Sequence, residues 1–284
     1  SADALGIGMG AFMGTIAASI GQLRLVYGVE AICMASVLIL ISVQPLLDER
    51  PMPQGTHSES STGKLDLTWL PPLLPVLVVS VVATGILSLQ QSALPLDLVK
   101  GGLERPGLSE SHSSALIAFQ LTLLVLLQWP VGRWLSERSV GFGLSLSLVS
   151  FATGCTLIGL SALTASGTGL GMVALLPMAF AQAAFLPTAT EAVVEETPPE
   201  HRGLAMAMFS QCFALSAMAA PVVGGNLLDQ QGHGLTLWIG VAAISLAVLP
   251  LVKGLRPRFQ GGVQGRTNNL SMLKQGVQAA SGSK

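Results

Sequence analysis

The chain has 284 residues, of which 50% are hydrophobic and only 10% charged, and its mean hydropathy is +0.64. Soluble domains average about 25% charged residues, so this composition is far from that of a water-soluble protein. Fourteen basic and fifteen acidic residues nearly cancel, which excludes a nucleic-acid-binding protein because such a protein needs a basic face. The cysteines (Cys33, Cys155 and Cys212) lack the spacing of a disulfide or metal site. We therefore predict neither a metal nor a cofactor.

Long apolar runs recur along the chain, each near the ~20 residues that cross a ~30 Å hydrocarbon core. They cover residues 4–21, 29–47, 71–95, 114–132, 141–162, 168–190, 203–227 and 235–252. Runs of this length must be helical, because lipid cannot satisfy the hydrogen bonds of an unpaired backbone. The sequence therefore predicts an all-α polytopic membrane protein with eight transmembrane helices.

Basic residues are unevenly divided between alternate loops. One set of loops contains only Arg24, Lys100 and Arg105. The other set contains Arg50, Lys64, Arg133, Arg138, Arg202, Lys253, Arg256 and Arg258. Because cytoplasmic loops are enriched in Lys and Arg, we predict that the second set is cytoplasmic. Both ends of this chain then lie in the cytoplasm, and the protein is a multi-pass protein of the cell (inner) membrane.

Two polar segments divide the chain into four parts. Residues 48–68 are rich in Ser, Thr, Pro and charge, which is typical of a flexible cytoplasmic linker. The linker separates two predicted helices in residues 1–47 from six in residues 69–253, and residues 254–284 are predicted to be a disordered cytoplasmic tail. The first apolar run begins almost at Ser1 without the basic start of a signal peptide. We therefore expect a truncated or cleaved chain whose earlier helices are missing.

The first two and last two helices look like copies of one unit. Aligning Gly21 with Gly224 or Gly225 places Gly28 near Gly232, with a long apolar helix on either side in both copies. If the two pairs are equivalent, residues 69–253 form one complete six-helix half. Residues 1–47 are then the last two helices of another half, whose first four helices are absent.

Three short motifs lie in the last six predicted helices and their loops. The first contains Gly132, Glu137 and Arg138, the second contains Glu195 and Arg202, and the third is Ala220-Pro221-Val222-Val223-Gly224-Gly225. In order and spacing they resemble the signature loop, the loop into the eleventh helix, and the GP-x-x-GG element of the major facilitator superfamily. The chain thus resembles the fifth to twelfth of that family's twelve helices.

The resemblance implies a secondary transporter that works by alternating access between two six-helix bundles. Its loop charges, Glu137, Arg138, Glu195 and Arg202, would contact neighbouring helix ends and hold one access state closed. The alternative is that they only anchor the chain and form weak surface ion pairs. The third motif resembles the efflux members, which favours export of a small organic compound. The chain has no G-x-x-x-x-G-K-[ST] sequence, so transport would be coupled to an ion gradient or would be uncoupled.

A stripe of small residues marks the first predicted helix. Gly6, Gly10 and Gly14 lie four residues apart, and small side chains let membrane helices approach closely. We predict a tight crossing there between the two halves.

Glutamines mark the predicted substrate cavity. Four of the last six spans contain them: Gln90, Gln91, Gln120, Gln182 and Gln211. An amide in lipid is costly unless it finds partners or water. The resemblance to the family implies that these four helices border the central cavity, so the glutamines would line it. Gln91 and Gln182 are the best candidates, and Phe209 would form apolar wall. Interhelical hydrogen bonds, and packing for Phe209, are the alternative roles.

The sequence therefore favours a secondary exporter that binds a small-molecule substrate and needs the missing N-terminal helices and the lipid bilayer. Two alternatives stay open. The protein could be an uptake permease for a neutral solute such as a sugar. It could also be a complete eight-helix scaffold or assembly protein without transport, and upstream sequence would discriminate the two classes.

Overall fold

A computed structural model describes residues 24–43 and 68–253, which fall into two separate units. The first unit contributes one described helix, α1 (Arg24–Val43). It overlaps the predicted span 29–47, and its residues 31–39 are exposed. The predicted span 4–21, with Gly6, Gly10 and Gly14, lies outside the described residues, as do the tail and nearly all of the linker.

The second unit contains six helices long and apolar enough to cross a membrane, which confirms six of the predicted spans. Five of these spans contain α2 (Leu70–Lys100), α3 (Glu110–Leu135), α4 (Val140–Ser161), α5 (Gly167–Glu196) and α6 (Arg202–Gln231). The sixth span, Leu235–Val252, begins with α7 (Leu235–Ala247) and continues into the short helix that follows it. A short helix, α8 (Leu249–Lys253), extends α7, and a 3₁₀ turn (Pro199–His201) precedes α6. The described residues contain no strand.

α2 and α5 extend furthest beyond the ends that their apolar stretches predict. α2 ends at Lys100 rather than at residue 95, and α5 ends at Glu196 rather than at residue 190. Pro95 does not stop α2, because the helix continues past it with Asp97 and Leu98 buried against the rest of the bundle. Hydropathy predicts only the apolar part of a helix, which lies in the hydrocarbon. The helix itself continues until its capping groups end it, so these predicted spans are too short.

Local sequence fixes several helix ends. The Ser109 hydroxyl accepts a hydrogen bond from the His112 amide at the start of α3, and Ser139 does the same for Phe142 at the start of α4. α2 and α6 are followed by Gly101 and Gly232, whose φ angles are +86° and +73°. Glycine suits both positions because a side chain is strained at positive φ.

Short connections make successive helices antiparallel. One end of the unit therefore contains the last residues of α2 and α4 and the first residues of α3, α5 and α7. We call it the Asp97 end. The opposite end, where α3 meets α4 and α5 meets α6, is the Arg138 end. α4 packs against α5 and α7, α2 packs against α6, and α3 packs against α5. α3 and α6 are the most exposed of the long helices.

Glycines let α4 lie unusually close to α5. A Cβ added at Gly154 would lie 2.3 Å from Met178 Cγ, and one at Gly143 would lie 2.8 Å from the Thr188 side chain. Met178 is itself fully buried. Small residues permit this approach because packing drives the association of helices in lipid.

Candidate functional site

Two of the predicted cavity glutamines meet inside the bundle. Gln120 Nε2 donates a hydrogen bond to Gln90 Oε1 over 2.8 Å, and both side chains are buried, each 5% exposed. Gln90 lies ten residues before the end of α2 and Gln120 ten residues after the start of α3. At 1.5 Å per residue both are about 15 Å from the Asp97 end, roughly half of a ~30 Å hydrocarbon core. The amide pair therefore lies near mid-depth.

The pair leaves one strong donor unused. Gln90 Nε2 is buried and has no hydrogen-bond partner among the described residues. A buried amide group without a partner costs about 1–3 kcal/mol. An acceptor group or a water brought to this atom would recover that energy.

The remaining cavity candidates do not join this pair. Gln182 is buried in α5, 7% exposed, while Gln91 and Gln211 are exposed. Gln91 faces away from Gln90 because successive helical residues differ by about 100° in direction. Phe209 is buried and meets Phe213 edge to face, with 5.5 Å between ring centroids, which supports the packing role.

Hydroxyl groups that the sequence analysis did not single out connect α2 to α6. Thr84 Oγ1 and Ser216 Oγ lie 2.8 Å apart, Ser216 also donates to the Val81 carbonyl, and Thr84 donates to the Cys212 carbonyl. Both hydroxyl residues are buried. A weak signal was present in the sequence, since each interrupts an apolar run, but the run does not show which helix they face.

The two glycines of the third motif have different surroundings. A Cβ added at Gly224 would lie 2.9 Å from both Ala93 Cβ and Leu89 Cδ2 of α2, whereas one at Gly225 would have no atom within 4 Å. Pro221 is exposed. Gly224 is therefore where α6 approaches α2 most tightly within this motif.

The loop between α3 and α4 places its arginines over aromatic rings. The Arg138 guanidinium lies 5.6 Å from the Trp134 ring centroid and 5.9 Å from that of Phe142, a cation–π geometry. Glu137 is exposed, and a Cβ added at Gly132 would meet no described atom within 4 Å. The Arg138 side chain thus contacts aromatic rings of the two helices that its own loop connects, α3 and α4.

Near the start of α6, Glu195 and Arg202 are partly buried. Arg202 Nε is a buried donor without a partner in the described part of the chain. Its neighbour His201 stacks on Trp69, with 5.0 Å between ring centroids. Within residues 68–253, no ion pair joins Arg138 or Arg202 to Glu137 or Glu195, so their predicted contacts with helix ends stay a prediction.

The strongest electrostatic feature was missed by the sequence analysis. Arg105 Nη2 lies 3.1 Å from Asp97 Oδ2, and both side chains are withdrawn from solvent. Arg105 also donates to the Asp97 carbonyl and to Ser161 Oγ, and Trp238 Nε1 donates to Asp97 Oδ2 over 3.2 Å. We call Asp97, Arg105, Ser161 and Trp238 the Asp97 network.

The Asp97 network connects α2, the loop 101–109, the end of α4 and the start of α7. A Cβ at Gly234 would lie 2.4 Å from Asp97 Oδ1, so only glycine leaves room for the carboxylate there. Nearby, Lys100 forms an exposed ion pair with Asp229 at the end of α6. In the sequence, Asp97, Lys100 and Arg105 stand in or beside a connecting loop. Hydropathy does not predict that this loop folds inward, so it does not predict that Asp97 and Arg105 are buried.

Comparison with known proteins places this bundle in a family. A family model described as Major Facilitator Superfamily matches residues 76–275, and no curated protein matches the chain significantly. A crystal structure of a mutant peptide transporter, POT, in complex with alafosfalin is similar, with a TM-score of 0.47 and 17% identity over 77% of this chain. The chain spans 46% of the length of that protein. The family model covers well over half of the sequence, so the chain is a multi-pass membrane protein that belongs to the major facilitator superfamily.

Proposed function

We propose that this chain is part of a secondary transporter that moves a small organic solute across the cell membrane by alternating access. The observation that carries the proposal is the family match over residues 76–275, nearly all of the six-helix bundle. The buried amide pair Gln90–Gln120 near mid-depth supports it, because transporter sites lie near the bilayer midplane. The first four helices of the other half would complete the carrier.

Efflux driven by an ion gradient is the direction we propose. The Ala220–Gly225 segment supports it by its likeness to the element of efflux members. Gln182, Gln91 and Gln211 would line the cavity at positions separate from the amide pair, and Phe209 would supply apolar wall. Glu137, Arg138, Glu195 and Arg202 would contact helix ends of the other half in one access state.

Uptake of a neutral solute is the second candidate. Gln90 offers an unused amide donor beside Gln120, and amides form hydrogen bonds with the hydroxyl groups of a sugar. Direct measurement of direction separates the two candidates.

The test uses the full-length protein in proteoliposomes with an imposed proton or sodium gradient and a panel of amphipathic compounds and sugars. We expect Gln182→Ala and Gln91→Ala to raise KM about tenfold each, because a lost substrate hydrogen bond weakens binding by ~1.4 kcal/mol. Gln230→Ala, an exposed glutamine at the far end of α6, is the matched control.

Three results have distinct meanings. Gradient-driven transport with weaker substrate binding in the two variants supports the site. Transport unchanged in both variants, with normal expression, contradicts the glutamine cavity but not the transporter. No transport of any compound in either direction contradicts the transporter itself.

A further inference from the structure

α2 and α6 are joined along their whole length. The contacts between them are a ring stack, a hydrogen bond between hydroxyl groups, a close approach at a glycine and an exposed ion pair. In order from the Arg138 end to the Asp97 end, they are Trp69–His201, Thr84–Ser216, Ala93–Gly224 and Lys100–Asp229. Because these contacts are spread over the full length, the two helices form one body, which we call the α2–α6 pair.

The α2–α6 pair is tied to the other helices in the half of the unit nearer the Asp97 end. Gln90 of α2 accepts a hydrogen bond from Gln120 of α3 near mid-depth, and the Ser113 hydroxyl donates to the Pro95 carbonyl over 3.3 Å. Beyond them, the Asp97 network holds the last turn of α2. These ties fix one end of the pair more firmly than the other.

The other four helices, α3, α4, α5 and α7, hold one another separately. α4 packs closely against α5, and the Ser147 hydroxyl of α4 donates to the Ala181 carbonyl of α5. The Ser245 hydroxyl of α7 donates to the Leu148 carbonyl of α4. α3 packs far more against α5 than against α2. The unit thus consists of the α2–α6 pair and a four-helix group.

A proline lies between two of the ties that hold α2. Pro95 has no N–H group, so the Gln91 carbonyl four residues earlier loses its helical hydrogen bond and the helix can bend there. Gln90 precedes this proline by five residues, and Asp97 follows it by two. We propose that the α2–α6 pair swings away from the four-helix group at the Arg138 end, with Pro95 as the hinge and the Gln90–Gln120 hydrogen bond as the latch.

The latch is poorly satisfied when it is closed. Gln90 Nε2 has no partner among the described residues, so the closed arrangement leaves a buried donor unused, which is unfavourable. When the pair swings out, water can reach both amides and replace the single hydrogen bond that is lost. The two arrangements therefore differ little in hydrogen bonding, which suits a two-state element. The inference concerns a motion of this unit and does not depend on the proposed transport.

The position of the hinge sets the size of the motion. At 1.5 Å per residue, Gln90 lies about 7.5 Å from Pro95 and the start of α2 about 37 Å from it. A bend of about 15° would move Gln90 by about 2 Å, enough to break its bond to Gln120, and the start of α2 by about 10 Å. A small change at the latch thus becomes a wide opening at the Arg138 end.

The first test measures distances by double electron–electron resonance in the full-length protein, held in lipid nanodiscs, with its native cysteines replaced by alanine. Spin labels on Leu204→Cys of α6 and Ser136→Cys after α3, both exposed positions, report across the opening. Labels on Leu74→Cys and Leu204→Cys, both within the α2–α6 pair, are the control. We expect two populations about 10 Å apart across the opening and one population within the pair.

Two variants should act in opposite directions. Gln120→Leu removes the latch and leaves the Gln90 amide unpaired in the closed arrangement, so the ratio of open to closed protein should rise about fivefold or more. Pro95→Ala restores the helical hydrogen bond at the hinge, so the ratio should fall about threefold or more. Gln230→Ala, at an exposed glutamine near the end of α6, is the matched control and should leave the ratio unchanged.

The outcomes separate this motion from the proposed function. One unchanged distance across the opening, in the wild type and in Gln120→Leu alike, would overturn the proposal. So would two populations within the α2–α6 pair, because the two helices would then move apart rather than together. An equal effect of Gln120→Leu and Gln230→Ala would overturn the latch. Two populations that respond to Gln120→Leu and Pro95→Ala as expected, in a protein that transports no compound, would support the hinge and contradict the proposed function.

Discussion

Asp97 and Arg105 bring two opposite charges within 3.1 Å of each other where neither side chain meets solvent. Removing charges from water costs several kcal/mol per ion, and their attraction offsets this only when further hydrogen bonds satisfy them. Trp238 and Ser161 supply two of these bonds. Asp97 Oδ1 and Arg105 Nε still have no partner among the described residues. The pair is therefore far more sensitive to the loss of one member than to the loss of both.

This asymmetry predicts the outcome of paired substitutions. Asp97→Ala should lower the free energy of unfolding by about 3–5 kcal/mol, because it leaves the Arg105 charge buried and unpaired. The double variant Asp97→Leu/Arg105→Met should lose clearly less, because it leaves no buried charge. Unfolding of the purified protein in detergent, followed by near-ultraviolet circular dichroism, measures both. A double variant no more stable than Asp97→Ala would contradict the electrostatic account. Lys100→Ala is the control: it removes an exposed ion pair, so it should change the free energy of unfolding by at most ~1 kcal/mol.

At the scale of helices, α2 and α6 are held by hydroxyl groups and by one close backbone approach. Thr84 and Ser216 join them near the middle, and Gly224 meets Ala93 and Leu89 nearer the Asp97 end. Adjacent Gly225 has open space. One motif thus offers a matched pair of glycines in the same helix, of which one packs against α2 and the other does not.

The pair predicts opposite results for the same substitution. Gly224→Ala should destabilise the protein by about 1–3 kcal/mol, because its Cβ would lie 2.9 Å from two atoms of α2 and the helices must separate. Gly225→Ala should be neutral or stabilising by up to ~1 kcal/mol, since alanine is the better helix former. Thermal unfolding of both variants in the same detergent decides. Equal destabilisation would show that the glycines act through backbone flexibility rather than through contact.

The sequence predicts the helices of this bundle far better than it predicts their contacts. Length and hydropathy alone locate six of its spans, because a continuous apolar run of this length satisfies its backbone hydrogen bonds in lipid only as a helix. The glutamines were recognised as significant, yet their pairing depends on the register of α2 against α3, which a single apolar run does not encode. Asp97 lies two residues beyond the predicted end of its span, residue 95. The sequence does not show that it is buried, because its burial depends on Arg105 folding back from the loop. The motifs identified the family, but not which of the two glycines packs.

The whole unit differs in chemistry between its two ends. The ion pairs Lys100–Asp229 and Asp97–Arg105 lie at the Asp97 end, where they connect α2 to α6 and to the loop 101–109. At the Arg138 end, Arg133 and Arg138 lie over the rings of Trp129 and Trp134 instead. Aromatic rings and basic side chains both favour the membrane–water interface, and basic loops favour the cytoplasm. The excess of basic residues in its loops therefore leads us to predict that the Arg138 end is cytoplasmic.

Cysteine labelling tests this orientation directly. In a variant whose native Cys33, Cys155 and Cys212 are alanines, a single cysteine replaces either Ser166 or Ser136, exposed residues in loops at opposite ends of the unit. A membrane-impermeant maleimide added to intact cells should label Ser166→Cys at once and Ser136→Cys only after permeabilisation, because the loop carrying Arg138 stays inside. The reverse pattern would show that the Arg138 end faces the outside. Labelling of both sites in intact cells would indicate mixed insertion, which the eight-to-three excess of basic residues in one set of loops argues against.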